Sequence, residues 1–113
     1  MSKDDYHVIA YRILIYLYAC IKQGQKPSLD YLQYNTDDFP VGKDYWYYIL
    51  ENLYISGYIE GVSIVPILGD SKCVKLTDSL RITPLGIEYI QENSTMQKAK
   101  SFLKELKEII PGL

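Results

Sequence analysis

What this chain lacks narrows the field before any motif is sought. It holds one histidine and two cysteines, too few of the residue types that build a metal cluster or a nucleophile–base–carboxylate set. Cys20 and Cys73 show no CxxC spacing, and a single bridge between them would not make a disulfide framework. Both thiols are read as core fillers in a reducing compartment, the cytoplasm. His7 is read as a surface residue of the first helix. Positive charge is also short: 12 Lys+Arg stand against 14 Asp+Glu, a formal net charge of −2. The long-range attraction to phosphate that marks many nucleic-acid binders is therefore missing, and any DNA contact has to come from a local patch. Gly61, Gly69 and Gly86 stand singly, so no glycine loop cradles a phosphate. The apolar run Ile13 to Ile21 (ILIYLYACI) follows "SKDDYH" rather than a basic leader, and it is too short to span a bilayer. Asp37 and Asp38 fall in a breaker-rich loop, where such pairs solvate or cap. No catalytic, metal or cofactor-binding residue is assigned, no cofactor or membrane is expected, and the chain is not expected to be an enzyme.

What is present is one domain's worth of chain, 113 residues at 48% hydrophobic content, enough to bury a core without staples. A first helix over about 4 to 23 opens after Ser2 and closes at Gly24 ahead of Pro27. Steps of roughly 100° gather Tyr6, Ile9, Ala10, Ile13, Tyr16, Leu17 and Cys20 on one apolar face. Val8, Tyr11, Ile15 and Tyr18 form a second stripe on the other side, so something is expected to cover this helix twice. Ser28 is read as the cap of a short second helix, "LDYLQYN", and Pro40 and Gly42 then break the chain. In "KDYWYYILENLYISGYIEGV", Trp46, Ile49, Leu50, Leu53 and Tyr54 share a face and Gly57 stands where a left-handed cap ends a third helix.

Beyond it, "GYIEGVSIVPI", "CVKL" and "SLRIT" read as short strands of an antiparallel sheet with a wing, turning at "LGDSK". Thr83 then caps a fourth helix that begins at Pro84. A last helix, about 95–110, carries Met96, Ala99, Phe102, Leu103, Leu106 and Ile110 on one stripe. The class is α+β, mostly helical. The order of elements matches a winged helix-turn-helix with a small antiparallel sheet and an added C-terminal helix, one domain over 1–113 with its core in about 4–93.

Four stretches, "KDDYHVIAYRILIYLY", "YWYYILENLYISGYIEGV", "RITPLGIEYIQENS" and "AKSFLKELKEIIPGL", are similar to the YjcQ family, small winged-helix proteins of Gram-positive bacteria and their phages or prophages. The resemblance spans nearly the whole chain, and "IIPGL" is its most particular part. It implies the fold and a mobile-element setting, and brings no activity, ligand or binding residue with it.

Two functions follow as expectations. In the first, the chain is a phage-type transcriptional regulator that binds DNA weakly, as a dimer, through Lys43, Tyr48 and Asn52 of the third helix and Lys72, Lys75 and Arg81 of the wing. In the second, it is a non-enzymatic protein-interaction module. Val8, Tyr11, Ile15 and Tyr18 on the first helix and Tyr45 and Tyr48 on the third are then the candidate interfaces, tyrosine being favoured where proteins meet. Fold analogy favours the first. The chemistry of the third helix favours the second, because its outward positions are Asp44, Tyr45, Tyr48, Asn52, Ile55 and Ser56, with Lys43 its only cation. The Val8 stripe adds a further expectation, a twofold dimer built from the first and last helices.

Overall fold

The computed structural model describes residues 6–69 and 72–92. They form α1 (Tyr6–Gln23), α2 (Lys43–Ile55), β1 (Ile59–Pro66), β2 (Lys72–Ile82) and α3 (Pro84–Glu92), three helices and a two-stranded antiparallel sheet. The class is α+β and mostly helical, as the periodicities predict. The expected capping of the first helix by Ser2 and the whole expected last helix, 95–110, lie outside the described residues.

The most enclosed element is α1. Ile9, Ala10, Ile13, Leu14, Ile15, Tyr16, Leu17, Ala19 and Cys20 are all buried, and the helix packs against α2, α3 and β2. Both apolar stripes of the sequence thus meet neighbours. Its end is a Schellman cap, in which Gly24, at φ +65°, donates its N–H to the Ile21 carbonyl and Gln25 donates to that of Cys20.

The expected second helix is absent. Ser28 does begin a turn: its Oγ accepts the Tyr31 N–H at 3.2 Å and its carbonyl accepts that of Leu32. The chain then leaves helical geometry, and Asn35 takes φ +56°. Contacts with α1 explain the departure. Tyr16 accepts the Ser28 N–H on its phenol at 2.8 Å, and Arg12 donates to the Asp38 carbonyl at 2.7 Å. Leu32, between these ties, and Phe39 and Val41, just past the second, are all buried. Only Leu32 of that set falls within 29–35, and it is the ties to α1 that accompany the departure from helical geometry. The helix-turn half of the expected helix-turn-helix is therefore replaced by an irregular, well-anchored loop.

The helix expected third is α2. Trp46, Ile49, Leu50 and Leu53 are buried as predicted, but Tyr54, expected to share their face, is 42% exposed. Leu53 and Tyr54 carbonyls accept the Tyr58 and Gly57 N–H groups, and Gly57 takes φ +80°, the cap that the sequence implies.

The stretches "CVKL" and "SLRIT" join into one strand, β2. Its pairing with β1 is regular from Val62–Leu76 to Pro66–Lys72 and resumes at Glu60–Arg81, so residues 77–80 oppose Gly61 alone. Gly61 has φ +83°, and a Cβ there would collide with the backbone of Ser79 and Leu80. Thr77 donates to the Gly61 carbonyl at 2.7 Å and accepts the Ser79 N–H, which ties the bulge down. Thr83 then closes the sheet onto α3: its hydroxyl accepts the Gly86 N–H at 3.1 Å and donates to the Gly57 carbonyl. The N-cap of the sequence reading is thus also a clamp on the end of α2.

Candidate functional site

With one face of α2 spent on the core, its geometry fixes what the other shows. Tyr48 and Ile55 are 57% and 68% exposed, and Tyr45, one helical turn before Tyr48, is exposed as well. The rings of Tyr45 and Tyr48 stack with centroids 6.3 Å apart. Tyr6 of α1 meets the Tyr48 ring edge-on at 6.1 Å, and His7 meets Tyr6 at 5.4 Å. Burial, and behind it the phenols of Tyr48, Tyr45 and Tyr58, raises the pKa of Tyr6. The patch is neutral and aromatic, bordered by the exposed Asp44. Tyr6 was expected in the core. It lies in the first turn of α1, where the core runs out, and so half of it reaches the surface.

Of the six candidate DNA contacts, Tyr48 and Asn52 lie one turn apart on α2, Lys72 reaches the same helix, and Arg81 lies beyond the bulge of the sheet. Lys43 is exposed at the start of α2. Asn52 turns its amide back to the Tyr48 carbonyl at 2.7 Å, which takes up a donor that an adenine edge would need. Lys72 lies 3.1 Å from the Glu51 carboxylate of α2. Arg81 donates to Glu60 across the sheet, beyond the bulge. Lys75 is exposed and, among the described residues, ion-paired with none. Two of the three sheet cations are thus offset by the chain's own carboxylates.

The four α1 residues named as a candidate interface are largely covered. Ile15, at 2% exposure, is a core residue rather than a contact residue. Tyr11 stacks on Tyr89 of α3 at 5.6 Å, and Tyr89 in turn stacks on Tyr58 at 4.5 Å. Burial first, and then the nearby Tyr11, pushes the Tyr89 pKa up to about 12. Tyr18 is half-buried beneath the Lys22 ammonium, 5.2 Å from its ring centroid, and Val8 is half-buried. The short α3 thus covers one residue of that stripe, Tyr11. The last-helix half of the expected dimer patch lies outside the described residues. Cys20 is buried, which raises its thiol pKa, but Cys73 is only half-buried, with its Sγ 3.9 Å from the Tyr47 hydroxyl.

Among the described residues no group of His, Cys, Asp and Glu is arranged to hold a metal ion. None of their helices is long and apolar enough to cross a membrane. No curated protein and no solved structure matches the chain. The family model described as YjcQ protein matches residues 11–109, most of its length, and the chain belongs to the YjcQ family.

Proposed function

We propose that this chain is a non-enzymatic, cytoplasmic interaction module of winged-helix descent that binds a protein through the outer face of α2. The observation that carries the reading is the pairing of charge. The face that would enter a major groove presents Tyr45, Tyr48 and Ile55 beside Asp44, while Lys72 and Arg81 are held by Glu51 and Glu60. A polyanion gains little from such a surface. A protein gains more, because exposed tyrosines offer large contact area with few rotatable bonds, and the flanking carboxylate suits a partner that brings arginine or lysine. The winged-helix part rests on the order α2, hairpin, α3, with the 28–41 loop standing where the second helix of that plan would be.

The test is site-specific photo-crosslinking in cells that express the chain, with the photoreactive residue at position 48 and, as control, at position 75. The expected result is a discrete protein adduct at 48 that is lost on Tyr45→Ala and absent at 75. Adducts to nucleic acid at either position would overturn the reading in favour of a phage-type DNA-binding regulator, and no adduct at 48 would overturn it outright.

A further inference from the structure

Away from that face, the C-terminal end of α1 and the bulged end of the sheet border an open cavity of about 540 Å³. That volume lies within the range of small-molecule sites, which are concave and largely apolar with a few placed polar groups. The bulge shapes it: Gly61, Ser79 and Leu80 all line the cavity, and the excursion 77–80 is fixed by the two hydrogen bonds of Thr77. Pairing is regular on both sides of this excursion, so closing the hairpin does not call for it. Bulges of this kind re-aim side chains and gather next to binding sites.

The lining has two parts. Leu17 and Leu80, both buried, and the partly exposed Ile21 give an apolar floor. Two carboxylates, Glu60 and Asp78, and two cations, Lys26 and Arg81, stand around it, and Glu60 already accepts from Arg81. This leaves Asp78 on the bulge and Lys26 on the wall that follows α1, one charge of each sign on different walls.

We infer that this cavity binds a small zwitterion with an aliphatic body, such as a free branched-chain amino acid, its ammonium toward Asp78, its carboxylate toward Lys26 and its side chain on Leu17, Ile21 and Leu80. A ligand of one net charge leaves one of the two rim groups facing it unmatched, and an uncharged apolar ligand leaves both. The site is separate from the α2 face and stands whether or not that face binds a protein.

The experiment is an NMR titration of the full chain with L-leucine, with 4-methylpentanoate, which keeps only the carboxylate, and with 3-methylbutylamine, which keeps only the ammonium. Leucine is expected to shift the amide signals of Gly61, Ser79 and Leu80 saturably at about millimolar concentration. The two analogues are expected to bind at least about tenfold more weakly, the loss of one charged hydrogen-bonded contact. Asp78→Asn should weaken leucine and the amine but not the acid; Lys26→Gln should weaken leucine and the acid but not the amine. Both side chains are exposed, so the fold is expected to survive, which an unchanged Tm checks. No saturable shift with leucine, equal binding of all three compounds, or indifference of leucine to both substitutions would each overturn the assignment.

Discussion

Two groups of aromatic rings that meet in α2 do opposite work. In one, Tyr16, Tyr31, Phe39 and Trp46 follow one another at centroid separations of 4.6, 5.4 and 5.0 Å and fasten the 28–41 loop to α1 and α2. In the other, Tyr6, Tyr48 and Tyr45 meet at 6.1 and 6.3 Å on the surface. The difference lies in what a ring gives up. Phe39 and Trp46 are 0% and 2% exposed, so removing either leaves a cavity, whereas water fills the space left by Tyr48. Twelve tyrosines therefore do not amount to one signal. Each takes its meaning from the partner across the ring.

The comparison can be broken in several ways. The largest expected effect is at Ile15, once a candidate contact and now part of the enclosed side of α1: Ile15→Asp buries an unpaired charge and should cost more than about 4 kcal/mol. Urea denaturation reads this, and a folded, dimer-deficient variant would return Ile15 to an interface. Trp46→Ala should cost about 3–5 kcal/mol by the same measurement, since its buried ring would leave a void beside Phe39.

Alkaline pH separates the two groups without mutation. Burial pushes the Tyr16 phenol up to about 12, an effect that outweighs the hydrogen bond it accepts from Ser28. A folded-state pKa above the ordinary 10.0 means that its contribution is complete below about pH 10 and is lost as pH rises through about 12. Absorbance titration of the phenolates, followed with circular dichroism, should show the Tyr16 step coinciding with loss of structure. Tyr16→Phe should shrink that late step by one phenol, leaving the contributions of Tyr31 and Tyr89, which burial also raises.

Thr83→Ala should cost about 1–2 kcal/mol, for it removes the cap of α3 and its tie to the Gly57 carbonyl together. A Thr83→Ser variant that restores most of the loss would confirm the hydroxyl as the cause. Smallest of all, Tyr48→Ala should stay within about 0.5 kcal/mol of the parent. A larger loss would mean that the surface group carries the fold as the buried one does.

Most of the frame was legible from the sequence, because helices α1, α2 and α3 announce themselves by local chemistry: apolar spacing, Gly57 past the end of α2, and Thr83 before Pro84. The loop was not legible. Its path is set by Tyr16 and Arg12, bonded to Ser28 and Asp38 across 12 and 26 positions, and no local pattern encodes such ties. The bulge was half legible, since Gly61 interrupts a β-branched stretch, but its width depends on Thr77 reaching across the sheet. For the candidate surface, Tyr45 and Tyr48 were visible from helical phase alone. The pairing of Lys72 and Arg81 was not, because strand register brings Glu60 to Arg81 and the packing of α2 on the sheet brings Glu51 to Lys72.

That pairing is the central claim, and anisotropy of a labelled random-sequence DNA duplex tests it most directly. The parent protein should show no salt-dependent binding, while Glu51→Gln with Glu60→Gln, which releases both cations, should gain weak binding whose log–log salt slope steepens by about 0.9 per phosphate contact. Tight binding by the parent, weakened by Lys43→Ala and Lys75→Ala, would contradict the account and make α2 and the wing a DNA-reading surface.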